Sequence, residues 1–159
     1  MKRIKAIPVV LLAATCLLAT ATVRAADTPA LPQTIKSVLT NYFKIQIALA
    51  EDSMKGVLEA ACAMAKTIKE DESKLLSSNV VAQAEALATA KDLAIAREAF
   101  KPLSESLIKY LADHKVNSNT YDEFHCHMAD ASWLQEEAET MNPYFGTSIP
   151  GCGIKKRTF

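Results

Sequence analysis

VVAQAEALATAKDLAIAREAFKPLSESLIKYLAD, residues 80–113, decides how many helices the chain has. Val80, Ala84, Leu87 and Ala88 share one phase, and Leu93, Ala96, Phe100, Leu103, Leu107 and Leu111 share another. Apolar residues that recur at steps of three and four mark one face of a 3.6-residue helix. A break near Ala90-Lys91-Asp92 makes two helices of the stretch. Without it there is one long helix, kinked where Pro102 removes a backbone hydrogen bond. The break gives four helices in all, the number a closed bundle needs.

Working outward from there, Ile35, Val38, Leu39, Tyr42, Ile45 and Leu49 form an earlier apolar face, and Pro32 suits its first turn. Glu51-Asp52-Ser53 offers an N-cap for a second helix whose face runs through Met54, Val57, Leu58, Ala61, Ala65 and Ile68. The polar run Lys69 to Lys74 ends it, and Ser77-Ser78-Asn79 opens the third. This body is dense in Ala, Leu, Lys and Glu, which is helix composition. Three of the four glycines, Gly146, Gly151 and Gly153, fall in the last fourteen residues. In the tail, Asp130 is placed to cap a short helix carrying Trp133 and Leu134, which must stop before Pro143. Pro143 to Gly153 reads as turns. The predicted fold class is therefore all-α: a helical bundle of four helices over about residues 32–114, closed by an irregular tail over about 115–159 rich in Cys, His, Met and aromatic residues.

The N-terminal region reads as an export signal. Lys2, Arg3 and Lys5 form a basic start, Ala6 to Val23 is apolar, and Val23-Arg24-Ala25 fits a signal-peptidase site. Cleavage after residue 25 leaves 26–159 as a single helical domain outside the cytoplasm, periplasmic in a bacterium, with no membrane anchor. The whole chain carries 18 basic and 18 acidic residues, and the signal takes four basic ones, so the exported part has a net charge of −4. A mildly acidic domain with no basic stripe is a poor partner for nucleic acid, whose binding rests on phosphate neutralisation. Cys16 goes with the signal, and Cys62, Cys126 and Cys152 remain. An odd count in an oxidising compartment leaves a free thiol, a metal-bound thiol or an intermolecular bridge.

Chemistry concentrates late in the chain. Phe124-His125-Cys126-His127-Met128 is the densest run of soft and borderline ligands, and Cys152 lies in a second loop, Pro150-Gly151-Cys152-Gly153. Thiolate and thioether suit Cu(I), while imidazole accepts Cu or Zn. Neighbours cannot all point one way. In extended chain Cys126 would converge with Met128, or His125 with His127. The competing reading is a Cys126–Cys152 disulfide that staples the tail, with both histidines on the surface and Met128 as a core filler. Cys62, on the flank of the second helix's apolar face, reads as a buried inert thiol. Trp133, Tyr144 and Phe145 read as the packing that pins the tail to the bundle, and His114 as a residue favoured at a helix C-terminus. There is no Gly-rich phosphate loop, Gly-x-Ser-x-Gly, His-Glu-x-x-His or Cys-x-x-Cys-His, and no enzyme activity is expected.

The order of the tail residues carries a resemblance. Cys126-x-Met128, Trp133-Leu134-Gln135, Asn142-Pro143-Tyr144-Phe145-Gly146 and Cys152-Gly153 follow one another. In the body stand Tyr42-Phe43-Lys44-Ile45-Gln46, Ala48-Leu49-Ala50, Ala96-Arg97-Glu98-Ala99-Phe100 and Leu103-Ser104. Together these residues, spanning about 35–153, resemble a family of bacterial envelope domains of unassigned function. Its members occur alone after a signal peptide, or fused to periplasmic adaptor subunits of heavy-metal efflux pumps of the resistance-nodulation-division type. The resemblance implies a bundle closed by a tail and a link to copper or related metal resistance. The family pattern reads Cys-Pro-Met, with a later Met a few residues before Cys-Gly; here His127 replaces the proline and Ile149 stands in place of the second Met. Cys126, Met128 and Cys152 are thus the implied ligands, with His127 or His125 supplementing. Two functions follow as expectations. One is a periplasmic Cu(I)-binding accessory protein, zinc being the less suited ion, that works beside an efflux-pump adaptor. The other is an envelope interaction module with a structural Cys126–Cys152 bridge.

Overall fold

The computed structural model describes residues 31–136 and 139–159; the predicted signal over 1–25, with Cys16, lies outside them. Four helices come first: α1 (Gln33–Ala50), α2 (Val57–Glu70), α3 (Ser78–Ala88) and α4 (Leu93–Asp113). The break near Ala90-Lys91-Asp92 is real. Asp92 caps α4, its carboxylate accepting the Ile95 N–H at 2.9 Å, which satisfies one of the helix's orphan donors. Pro102 lies inside α4 on its exposed side, and the helix runs through it. The predicted apolar face of α1 is fully buried, from Ile35 to Leu49. Pro32 is the N-cap of α1 rather than its first turn. The second helix starts later than its Asp-Ser signal suggests, with Gly56 at the N-cap in a left-handed conformation.

The chain is not all-α. After α4 come β1 (Tyr121–Cys126), β2 (Ala131–Glu136), a 3₁₀ turn (Gly146–Ser148) and β3 (Ile154–Thr158). They make an antiparallel sheet of order β2-β1-β3. Trp133 and Leu134, expected on a short helix, sit on β2 opposite Phe124 and Glu123. The strands escape a period-two reading because Asp122, Glu123 and Phe124 are all buried in succession. Both faces of β1 are covered, and the acids are buried because β3 supplies their partners. Lys155 Nζ reaches Asp122 at 2.8 Å, the Thr158 hydroxyl donates to the same side chain at 2.7 Å, and Arg157 Nε donates to Glu123 at 2.6 Å. Charged residues at those positions look like a solvated loop in sequence, yet they are cross-strand pairs.

The sheet also closes the bundle. α1 packs on α2, α2 on α3 and α3 on α4, but α1 and α4 meet only sparsely, and β2 packs against both. Tyr42 of α1 sits at this seam, its ring stacked on Phe100 of α4 at 4.9 Å. Its hydroxyl accepts the Leu134 N–H at 3.0 Å and pairs with the Ser104 hydroxyl at 2.8 Å. Burial pushes the phenol well above its ordinary pKa, so it stays neutral. Tyr144 donates to the Ser132 carbonyl at 2.6 Å. Two tyrosine hydroxyls thus serve β2 backbone groups that would otherwise be buried without partners.

Tyr42→Phe keeps the ring and removes the acceptor, leaving a buried amide unpaired. We predict a loss of about 1–3 kcal/mol in unfolding free energy, measured by denaturant titration followed by Trp133 fluorescence.

Candidate functional site

The last residue of β1 is Cys126, 1 % exposed. Successive strand side chains point to opposite faces. Phe124 and Cys126 therefore lie on the face away from His125, against the returning tail. Trp133 fills the centre of that face, stacked on Phe124 at 5.4 Å and edge-on to Tyr144 at 5.9 Å. Gly153 passes so close that a Cβ there would stand 2.5 Å from the Trp133 ring. This approach delivers Cys152, and its Sγ lies 2.7 Å from the Cys126 Sγ. Both cysteines are free thiols here.

Asn142 arranges this meeting, and its side chain is fully buried. Its amide nitrogen donates to the Cys152 carbonyl at 2.6 Å, and its oxygen accepts the N–H groups of Tyr144 and Phe145 at 2.8 and 3.2 Å. Burial pushes the Cys126 thiol up, but it is outweighed. Cys152, the Ala129 N–H, the Asn142 side chain and the Met128 N–H all hydrogen-bond the sulfur, and its pKa falls below the ordinary value. Cys152 moves the other way: its bond to Cys126, its burial and the Cys126 charge all raise it. Of the two thiols Cys126 is thus the more acidic, because amides of the β1–β2 turn and the Asn142 side chain face its sulfur.

A second contact holds the tail to the helices. Arg97 of α4 donates through Nε to the Pro143 carbonyl at 2.9 Å. Through Nη2 it reaches the Leu49 carbonyl at 2.8 Å and Asp52 at 2.5 Å. The other Asp52 oxygen accepts the Thr147 N–H at 2.9 Å and also the Thr147 hydroxyl. Gly146 is in a left-handed conformation at φ 57°, and a Cβ there would run into Asp52 and Arg97. Glycine is required on both counts. Gln46 adds a bond to the Met141 carbonyl at 2.8 Å.

The predicted ligands divide into two groups. Cys126 and Cys152 meet, while His125 and His127 meet each other elsewhere, their ring centres 4.8 Å apart. Met128 is in the turn, its N–H directed at both sulfurs and its side chain 64 % exposed, so it is no core filler. Among the described residues no group of three or more His, Cys, Asp or Glu side chains is placed to share one ion. Cys62 is exposed, contrary to the buried thiol expected, because α2 turns it just off the packed Ala61 face. His114 caps α4, its Nδ1 2.8 Å from the Tyr110 carbonyl. Sequence reasoning missed Asn142, Arg97 and Asp52 as positioning residues. Asn142 and Arg97 carry a signal, standing in Asn142-Pro143-Tyr144-Phe145-Gly146 and Ala96-Arg97-Glu98-Ala99-Phe100; Asp52 has the chemistry of a helix cap.

The model of the family described as protein of unknown function (DUF3347) matches residues 38–119, from within α1 to the approach to β1. No curated protein and no solved structure matches the chain. Among the described residues no helix is long and apolar enough to cross a membrane.

The Arg97–Asp52–Thr147 contact gives acid sensitivity. The Thr147 hydroxyl, then Arg97 and the Thr147 N–H, hold the Asp52 carboxyl below its ordinary 3.8, at about 2. A depressed folded-state pKa stabilises above the unfolded value and is lost as pH falls through the folded one. Asp52→Asn tolerates the residue's left-handed backbone, φ 55°, and removes the charge. We predict that the variant melts lower than the parent at pH 7 and that the gap closes between pH 4 and 2, measured by thermal unfolding across pH.

Proposed function

Because the chain belongs to this family, which has no assigned function, its role must come from its own residues, and we propose that it binds Cu(I) between Cys126 and Cys152. The observation that carries this reading is the meeting of two free thiols, Cys126 buried and Cys152 brought to it by the tail, with turn amides facing the Cys126 sulfur and lowering its pKa. Soft thiolate ligands select Cu(I), an ion content with few ligands. Zinc structural sites take four, and the described residues offer no such group. Met128 stands in the same turn, exposed, as a thioether able to add to the pair. Two thiolates on one ion with bonds of about 2.3 Å sit farther apart than 2.7 Å. Loading therefore spreads the Cys152 loop, which Gly151 and Gly153 flank. In the cell the protein is exported to the periplasm and works as an accessory of heavy-metal efflux beside a pump adaptor. The basic start, apolar run and peptidase site over residues 2–25, and the tail order from Cys126 to Gly153, support that placement.

One observation favours a second reading. The sulfurs already stand closer than a shared ion would hold them, as suits a disulfide that closes the tail in an envelope interaction module, worth about 2–4 kcal/mol. Titrating the reduced protein with Cu(I) against a competing chelator separates the two. The proposal predicts one ion per chain, lost in Cys126→Ser and in Cys152→Ser. Stoichiometry near zero, together with a complete Cys126–Cys152 bridge by non-reducing mass spectrometry of protein from its own compartment, would establish the second reading instead.

A further inference from the structure

The thiol reading leaves unused the two histidines that flank Cys126, His125 on β1 and His127 in the turn after it. We propose that His125 and His127 form a second metal site, separate from the cysteine pair, for a borderline divalent cation such as Cu(II) or Zn(II). Their ring centres are 4.8 Å apart and nearly perpendicular, at 81°. Two imidazoles bound to one ion through nitrogens about 2.0–2.1 Å away place their ring centres at a similar separation, so little movement is needed.

His125 is already oriented. Its Nδ1 lies 3.1 Å from the Ser132 hydroxyl, directly across the β1–β2 pair. A serine that takes up one ring nitrogen leaves Nε2 for an ion, which is how metal-ligating histidines are fixed. Ser132 is itself held, its carbonyl accepting the Tyr144 hydroxyl. His127 is exposed at the head of the turn, whose backbone closes through the Asp130 N–H to the His127 carbonyl at 3.3 Å. Beside His125 opens a cleft of about 350 Å³ that Lys101, Glu105, Glu123, Asp130 and Ser132 also line. It gives room beside His125 for the water ligands a two-histidine site needs. Imidazole suits Cu and Zn, whereas thiolate draws Cu(I). The alternation of β1 sends His125 and Cys126 to opposite faces, so the two sites load independently, and this one survives failure of the thiol reading.

The test uses Cu(II), followed by electron paramagnetic resonance, on the parent and on a Cys126→Ser, Cys152→Ser double variant. Zn(II) binding to the parent, followed by the histidine C–H resonances, gives the same answer should the double variant not fold. The expected result is one ion with imidazole nitrogen coupling, weakened more than about tenfold by His125→Gln and equally by His127→Gln. Ser132→Ala should weaken it about tenfold, the usual effect of losing an orienting partner. Binding that either histidine variant leaves unchanged overturns the shared site, as does the absence of imidazole coupling in Cu(II) and of histidine shifts in Zn(II).

Discussion

The hydrogen bond from the Leu134 amide to the Tyr42 hydroxyl is where two halves of unlike structure become one domain. Four helices in sequence pack as neighbours but leave α1 and α4 apart. β2 fills that seam, and a strand inside an apolar seam brings backbone groups that have no partners of their own. Tyr42 and Tyr144 provide them, each with its ring in the core and its oxygen on the strand. A buried amide without a partner costs more than an ordinary hydrogen bond gains. The seam is therefore closed by one register of β2, the register that also sets β1 and its turn.

From that register the site follows. With β2 fixed, Cys126 ends β1 facing the tail, and the β1–β2 turn aims the Met128 and Ala129 amides at its sulfur. Trp133 leaves space for a glycine alone at position 153, which brings Cys152 in. Asn142 ties the returning loop from within, and Arg97 with Asp52 ties it to the helices. The end of β1 and the turn after it carry His125 and His127, which meet each other away from the thiols. Strand alternation parts His125 from Cys126, and the turn that follows brings His127 to His125.

The helices were legible in the sequence because they are amphipathic in the ordinary way. The face from Ile35 to Leu49 is buried as its period requires, and Asp92 breaks α3 from α4 by capping. The sheet was not legible, for a physical reason. Asp122 and Glu123 are buried charges whose partners, Lys155 and Arg157, lie more than thirty residues away. No local window shows that pairing, so the strand reads as loop. Asp52 misled likewise: beside Ser53 it has the chemistry of a helix cap, but its carboxylate is committed to Arg97 and Thr147. The meeting of Cys126 with Cys152 was one of the options the residues offered. Asn142 and Gly153 stand in the tail motifs, but that one ties the Cys152 carbonyl and the other passes beneath Trp133 is visible only in three dimensions.

Hydrogen exchange at the Leu134 amide tests the central claim most directly, since that proton is the link between bundle and sheet. If Tyr42 holds it in the buried seam, it exchanges only through global unfolding, as slowly as amides in the middle of α1 and α4. Exchange at the rate of an open strand edge, while those helix amides stay protected, would mean that the sheet does not close the bundle and that the thiol pair has no fixed frame.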